Sequence, residues 1–160
     1  MGSVTRLHKR GECMGKKEPL LISACLLGTG CRYDGKRKPL SKEVLEQLQD
    51  AYWLIPVCPE QLGGLSTPRK PAEYNGERFV CQDGTDVTEQ YRKGAEESVA
   101  LALLFGVKRA LLKEKSPSCG YGEIYDGSFE KRLVAGNGAT ADALSRQGIA
   151  IFGESRIELL

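Results

Sequence analysis

The chain has 160 residues, of which 41% are hydrophobic and 28% are charged, so it can bury one sizeable core but not a second large domain. Its 23 Lys and Arg residues nearly balance 21 Asp and Glu residues, and the net charge of +2 does not indicate nucleic acid or an anionic membrane as a partner. No apolar run reaches the roughly 18 residues of a membrane helix, and the opening MGSVTRLHKR lacks the apolar stretch of a secretory signal, so we expect a cytoplasmic protein.

The chain begins with a basic segment that shows no hydrophobic periodicity. We expect residues 1–18 to be a flexible leader ahead of a single domain over residues 19–160. The apolar run LLISAC, residues 20–25, predicts a buried strand that ends at Cys25, before a loop rich in glycine.

A helix and a second strand are predicted next. Residues 42–52 carry apolar side chains at helical spacing and follow Ser41, which predicts an amphipathic helix with Ser41 as its N-cap. The run WLIPV, residues 53–57, predicts a strand. Pro56 favours an edge position or a bulge for this strand because proline has no N–H to donate to a neighbour.

The middle of the chain predicts a long loop followed by the longest helix. Residues 59–84 are rich in glycine and proline, with a short hairpin through ERFVCQ. Asp86 and Glu89 resemble a capping arrangement that opens a helix, and Gly106 ends it. The face expected to be buried consists of Tyr91, Ala95, Val99, Ala102 and Leu103.

The last third predicts two more strands and one helix. RALLK, residues 109–113, reads as a strand and is followed by a long loop, by a helix from about Thr140 to Arg146 with Thr140 as its N-cap, and by a strand at 149–152. Alternation of strands and helices predicts an α/β fold: a mostly parallel sheet with helices on both faces, in a Rossmann-like three-layer single domain.

The numbers of histidine and cysteine residues limit the catalytic and metal-binding chemistry that is expected. The single histidine, His8, lies in the leader, so histidine nucleophile systems and His-ligated zinc are disfavoured. In a reducing compartment, the six cysteines are expected to be thiols or metal ligands rather than a disulfide framework. They are Cys13, Cys25, Cys31, Cys58, Cys81 and Cys119.

Three of these cysteines follow the ends of predicted parallel strands. Cys25 ends the first strand, Cys58 follows the second, and Cys119 lies in the loop after the third. Because ligands of open parallel sheets bind beyond the carboxyl ends of the strands, a shared site is favoured over separate buried thiols. Three thiolates suit a zinc ion with an open position or an iron-sulfur cluster with one iron lacking a protein ligand. Cys31, one loop turn from Cys25, would close the site if it were a fourth ligand.

Several stretches together carry a pattern more specific than any one of them: ISACLLG (22–28), CRYDG (31–35), PVCPEQLGGLSTPR (56–69), GTDVTEQYRKGA (84–95) and LKEKSPSCG (112–120) followed by IYDGSF (124–129). The pattern resembles a family of small domains whose characterised members are thiouracil desulfidases. The resemblance covers about residues 20–152.

The resemblance implies a [4Fe-4S] cluster whose unliganded iron takes the sulfur of a thiocarbonyl substrate, such as a thiolated pyrimidine, while water replaces it at carbon without net redox change. It implies that Cys25, Cys58 and Cys119 are the ligands and that Cys31 is a neighbour that does not bind iron. Cys13 lies outside the match, and Cys81 falls in the predicted hairpin, so neither is expected to contribute.

Desulfuration also needs a general base and groups that hold the substrate. Glu60, close to Cys58, is the expected base. Ser116 and Ser118, which flank Pro117, are the other catalytic candidates. Residues expected to bind substrate are Arg32, Tyr33 and Lys113, with Asp34 and Lys115 as further neighbours of the same edge.

Two other functions remain open at this stage. A structural or redox iron-sulfur module without enzymatic activity predicts four ligands, including Cys31. A metal-free sulfur carrier predicts a persulfide on Cys119 or Cys58, activated by neighbouring lysines and loop amides.

Overall fold

A computed structural model describes residues 16–160; the expectations for the leader through residue 15, including those on His8 and Cys13, lie outside the described residues. The strands are β1 (Glu18–Ser23), β2 (Tyr52–Val57), β3 (Ala72–Tyr74), β4 (Phe79–Cys81), β5 (Arg109–Leu112), β6 (Glu123–Tyr125), β7 (Leu133–Ala135) and β8 (Ala150–Gly153). The α-helices are α1 (Lys42–Ala51), α2 (Pro59–Leu62), α3 (Thr88–Leu104) and α4 (Ala139–Arg146), and two 3-10 helices cover Ala24–Leu27 and Glu154–Leu159.

Four parallel strands form the central sheet in the order β2-β1-β5-β8. The connections between them pass through helices, as parallel pairing requires. Two small antiparallel hairpins, β3-β4 and β6-β7, are separate from this sheet. The predicted α/β fold with a parallel sheet is therefore confirmed.

Alternating side chains of β1 separate the two faces of the sheet. Leu20 and Ile22 pack with Leu48 of α1 on one face, together with the C-terminal 3-10 helix. Leu21 packs on the other face with Ala102 of α3 and with residues of α4. Because each face buries a continuous apolar layer, the sheet is the middle of three layers.

Two local predictions are correct in detail. The hydroxyl oxygen of Ser41 accepts a hydrogen bond from the Val44 amide at 3.3 Å, so Ser41 is the N-cap of α1. Pro56 lies in β2, which is an edge strand of the sheet. An edge strand tolerates proline because one side of its backbone has no partner strand.

The first strand ends earlier than predicted. β1 stops at Ser23, and Cys25 lies inside the 3-10 helix that follows. Gly28 ends this helix with a φ of 90°, a conformation that glycine adopts without steric cost. Cys25 thus lies two residues beyond the strand. The hydroxyl oxygen of Ser23 accepts the Lys113 amide of the neighbouring segment at 2.9 Å.

The long helix α3 differs from its prediction at its start and ends as predicted, since Gly106 follows the C-cap Phe105 with a φ of 66°. Its N-cap is Val87, and the Asp86 carboxylate instead accepts the Thr88 amide at 2.9 Å from outside the helix. Leu103 was expected to be buried but is 58% exposed. Leu103 lies on the exposed side of the last turn, whereas Ala102 in the same turn is fully buried.

The predicted loop at 114–132 contains strand β6, which pairs with β7. Each of these strands has three residues, too few for an alternating pattern to be recognised. The final helix begins at Ala139 with Gly138 as its N-cap. Thr140, predicted as that cap, is fully buried, and its hydroxyl lies 3.1 Å from that of Ser118.

Helix α2 lies directly on the backbone of α3. A Cβ added at Gly94 of α3 would lie 1.9 Å from the carbonyl oxygen of Pro59, and one added at Gly63 would lie 1.9 Å from that of Gln90. The two glycines therefore allow the close approach that fixes α2. No helix within residues 16–160 is long and apolar enough to cross a membrane.

We expect Gly94→Ala to lower the free energy of unfolding by about 3 kcal/mol or more, because the new methyl group meets backbone that cannot rotate away. The gain of about 1 kcal/mol in helix propensity does not offset this clash. Urea denaturation measures the change. Lys93→Ala, on the exposed side of the same turn, should leave stability nearly unchanged; equal effects of the two variants would contradict the packing argument.

Candidate active site

A cavity of about 590 Å³ lies at the carboxyl edge of the parallel sheet. Segments that follow β1, β2 and β5 supply most of its wall, and residues of the hairpins β3-β4 and β6-β7 complete it. This is the edge at which open parallel sheets bind their ligands. The predicted site residues can therefore be located relative to one cavity.

The three predicted ligands all line this cavity. Cys25 lies in the first 3-10 helix, Cys58 is the N-cap residue of α2, and Cys119 lies in the turn after β5. Cys119 is only 4% exposed, and the charges of Cys25 and Cys58 contribute to raising its pKa. The topology thus brings together three sulfurs that are far apart in the sequence.

Burial is the main reason why these thiols resist ionisation. It raises the pKa of Cys25 to about 11 and that of Cys58 to about 12, with the carboxylate of Glu60 as a further cause. The pKa of Cys119 is also raised well above its ordinary value, first by burial and then by Glu60, whereas a hydrogen bond with Ser23 acts in the opposite direction. Thiolates in this cavity therefore need a cationic partner.

The donor set fits an iron-sulfur cluster better than a single zinc ion. Within residues 16–160, no three His, Cys, Asp or Glu side chains are grouped closely enough to hold one metal ion. Sulfur ligands of one tetrahedral zinc lie about 3.8 Å apart, given a Zn–S bond of about 2.3 Å. Three cysteines that bind three different irons of a cluster are spread more widely, and thiolates are the usual ligands of such clusters.

Glu60 provides a carboxylate next to the cysteines. It lies in the first turn of α2, its side chain is 14% exposed, and its Oε2 accepts the Cys58 thiol at 3.6 Å. Its charge contributes to the raised pKa of Cys25, Cys58 and Cys119 alike. The carboxylate is therefore within electrostatic reach of all three sulfurs.

Arg69 was not predicted and holds Glu60 in place. Its Nη2 lies 3.5 Å from Oε2 of Glu60 and donates to the carbonyl oxygen of Cys31 at 2.9 Å, while Nη1 donates to Ser66 and Thr67. The arginine lies in the STPR stretch at residues 66–69. No local pattern marks it, because its role depends on a loop that returns to the sheet edge.

The two serine candidates occupy different positions. Ser116 lines the cavity, and its hydroxyl oxygen accepts the Ser118 and Cys119 amides at 3.2 and 3.1 Å. Ser118 is fully buried, is not among the lining residues, and has its hydroxyl next to Thr140. The structure brings Ser116 to the cavity and keeps Ser118 behind it.

The predicted cations also line the cavity. Lys113 forms an ion pair with Glu154, whose other carboxylate oxygen accepts the Glu114 amide at 2.7 Å. The charge of Lys113 lowers the pKa of Cys25 against the larger effect of burial. Lys115 is exposed and has a φ of 61°.

The first loop contributes the other predicted substrate contacts. Arg32 and Tyr33 line the cavity, and the guanidinium of Arg32 lies 5.9 Å from the centre of the Tyr33 ring. Asp34 is not among the lining residues; its carboxylate lies 3.4 Å from Nε of Arg32 and orients that side chain. Cys31 lines the cavity and is 2% exposed.

Three aromatic residues that were not predicted as site residues also line the cavity. They are Tyr91 on α3, Tyr125 on β6 and Phe129 in the loop after β6. Cys81, in β4, packs with Val87 and Tyr91 in a separate small core and is not among the lining residues. The cavity thus combines a cysteine-rich floor at the sheet edge with aromatic and cationic residues around it.

A family model described as 2-thiouracil desulfurase matches residues 20–156 of this chain. The chain belongs to the 2-thiouracil desulfurase family. The predicted resemblance is confirmed by this match, which extends a few residues beyond the predicted range.

This desulfurase family member matches two relatives over nearly the whole length of each relative. A solved structure titled [4Fe-4S]-dependent thiouracil desulfidase TudS is 46% identical, covers 90% of this chain and 95% of that chain, and superposes with a TM-score of 0.86. The uncharacterized protein YbbK of Bacillus subtilis (strain 168) is 38% identical over 148 residues, which cover 86% of this chain and 97% of the relative. The α/β architecture is therefore that of a known desulfidase structure.

Proposed function

We propose that this chain is a [4Fe-4S]-dependent desulfidase that converts a thiolated pyrimidine such as 2-thiouracil into uracil and sulfide. The observation that carries the proposal is the convergence of Cys25, Cys58 and Cys119 with the Glu60 carboxylate on one cavity. Family membership and the 46% identical solved structure support it. The reaction is a hydrolysis: the C=S bond breaks, water supplies the new carbonyl oxygen, and its two protons leave with sulfide, so no electron acceptor is needed.

The three cysteines are the ligands of the cluster under this proposal. Held by these residues, the cluster would supply an iron without a protein ligand, and thus a Lewis acid for the thiocarbonyl group. Its positive charge also offsets the cost of ionising thiols that burial otherwise keeps protonated. The same raised pKa values argue against the metal-free persulfide carrier, which needs a thiol of lowered pKa.

Glu60 is the general base in this mechanism. Its carboxylate takes a proton from the attacking water as the new bond to carbon forms. Arg69 fixes the orientation of that carboxylate from 3.5 Å. Because Arg69 is also anchored on the Cys31 carbonyl oxygen, the base is held in a defined position relative to the cysteine-bearing loop.

The remaining cavity residues hold the substrate. Arg32 and Tyr33 bind and cover the pyrimidine, and Lys113 stabilises negative charge that develops as sulfide departs. The Ser116 hydroxyl, which already accepts two amides, has a proton to donate to a carbonyl or thiocarbonyl edge. Ser118 has a supporting role, since its buried hydroxyl fixes the turn that carries Cys119.

Anaerobic reconstitution tests the proposal. We expect about four irons per chain, a broad visible absorbance, and release of sulfide and uracil from 2-thiouracil. Protein without iron that accumulates a persulfide would contradict the proposal.

Cys31→Ser separates a three-cysteine site from a closed site with four. We expect the variant to retain its iron and to release sulfide within about threefold of the wild-type rate, because Cys31 is not assigned as a ligand. Iron and acid-labile sulfide analysis alongside the activity assay gives the measurement. Loss of iron in this variant, with iron retained in Cys81→Ser, would favour the structural four-cysteine module.

A further inference from the structure

The 126–131 loop, which is the connection from β6 to β7 except for its last residue, contributes Phe129 and Lys131 to the cavity wall. Tyr125, the last residue of β6, lines the cavity directly before this loop. The loop therefore supplies an aromatic part of the wall from a hairpin that is not part of the parallel sheet. Its position depends on contacts other than strand pairing with that sheet.

One carboxylate from the other hairpin holds this loop. Oε2 of Glu73, in β3, accepts the backbone amides of Gly127 at 2.9 Å and Phe129 at 3.0 Å. Hydrogen bonds to an ionised acceptor are stronger than those between neutral groups. The two bonds join segments that are more than 50 positions apart, with separations of 54 and 56 residues.

The backbone of the loop needs such support. Phe129 and Lys131 both have a φ of 60°, in the left-handed region that residues with a Cβ rarely occupy. Gly127 lies against the β3-β4 hairpin so closely that a Cβ there would be 2.7 Å from Cα of Asn75. An unusual backbone conformation persists only where the surroundings hold it, and Glu73 is the residue that reaches two of its amides.

We propose that Glu73 is a positioning residue that holds the 126–131 loop against the β3-β4 hairpin, so that Phe129 and Tyr125 form an aromatic wall for the substrate ring. Glu73 also lines the cavity, and the role proposed for it is exerted through the loop backbone. Only the substrate part of this inference rests on the proposed function. The clamp itself is a property of the fold.

Glu73→Ala tests the clamp without reference to activity. We expect trypsin to cleave the Lys131–Arg132 bond about tenfold faster in this variant, because two charge-assisted hydrogen bonds hold the loop closed. Glu73→Gln, which keeps one acceptor oxygen, should show an intermediate rate. The control is Glu77→Gln, which removes the same charge from the exposed turn of that hairpin and should be cleaved at the wild-type rate.

The same variants test the substrate wall in the reconstituted enzyme. We expect KM for 2-thiouracil to rise about tenfold with kcat changed less than threefold and with iron content unchanged, since the wall binds substrate and transition state alike. Gly127→Ala should reproduce both effects by a different route, because its methyl group displaces the loop from Asn75. Thermal denaturation of each variant confirms that the global fold is retained.

Wild-type cleavage rates in both Glu73→Ala and Gly127→Ala would overturn the clamp. Faster cleavage with an unchanged KM would overturn the assignment of the loop to substrate binding. If the wild-type enzyme releases no sulfide, the proposed function fails, whereas the cleavage rates still decide whether Glu73 holds the loop.

Discussion

Glu60→Gln is expected to lower kcat for sulfide release by about 10²- to 10⁴-fold, the usual contribution of a general base. Glutamine has nearly the same size and keeps an oxygen for Arg69, which lies 3.5 Å from the native carboxylate. The substitution therefore removes proton acceptance with little change in packing. Steady-state assays with 2-thiouracil measure the effect, and iron analysis shows that the cluster is still present.

Glu46→Gln is the matched control for this experiment. Glu46 is exposed on α1 and forms an exposed i,i+4 pair with Lys42, so the activity of the Glu46→Gln variant should equal that of the wild type. A Glu60→Gln enzyme that keeps full kcat would show that another group accepts the proton from water. A variant that loses its iron would show instead that Glu60 is needed to build the site.

Cys119→Ser is expected to abolish cluster binding, with iron content falling to near zero and sulfide release falling below detection. The thiol is 4% exposed, and the charges of the other two cysteines act on it. Among the three proposed ligands, it is the one that solvent can least easily replace. Serine is close to cysteine in size but is a far poorer ligand for iron, because iron-sulfur clusters are held by thiolates. Visible absorbance and iron analysis measure the loss.

Cys81→Ser is the control that separates a ligand from a buried thiol. Cys81 is 8% exposed, packs with Val87 and Tyr91, and does not itself line the cavity. Its substitution should cost some stability through the buried hydroxyl but leave four irons and full activity. If Cys119→Ser retained its iron as well as Cys81→Ser does, the three-cysteine assignment would be wrong.

The parallel sheet was predictable because its strands are strongly apolar. Leu20, Leu21 and Ile22 are all fully buried, and a short run without alternation is the pattern of a strand covered on both faces. Helix α1 was equally clear from Ser41 and the spacing of its apolar residues. A continuous apolar run thus predicts a strand that is buried on both faces, and apolar residues at helical spacing predict an amphipathic helix.

The hairpins were harder to predict because each of their strands has three residues. The β3-β4 hairpin was expected from ERFVCQ, but β6-β7 was read as loop. Leu133 and Val134 of β7 are both substantially exposed. Their exposure therefore does not distinguish this strand from the turns around it. Pairing with a neighbour, rather than their own composition, makes these residues strands.

The cysteine site was predictable from topology, and its supporting residues were not. The positions of Cys25, Cys58 and Cys119 relative to three parallel strands are enough to place them at one edge. Arg69 donates to the distant Cys31 carbonyl oxygen and Glu73 accepts amides of the 126–131 loop, so no spacing in the sequence marks them. Ser118 looked equivalent to Ser116, and only the packing of its hydroxyl against Thr140 distinguishes them.

The three cysteines follow three different strands of the sheet, so the order of folding and iron insertion depends on how these strands pair. β5, which precedes Cys119, pairs with β1 across the middle of the sheet, so the three sulfurs converge only after this long-range pairing has formed. A partly synthesised chain that stops before β5 lacks Cys119, one of the three proposed ligands. We therefore expect iron insertion to follow folding, and loss of the inorganic centre to accompany cooperative unfolding of the sheet.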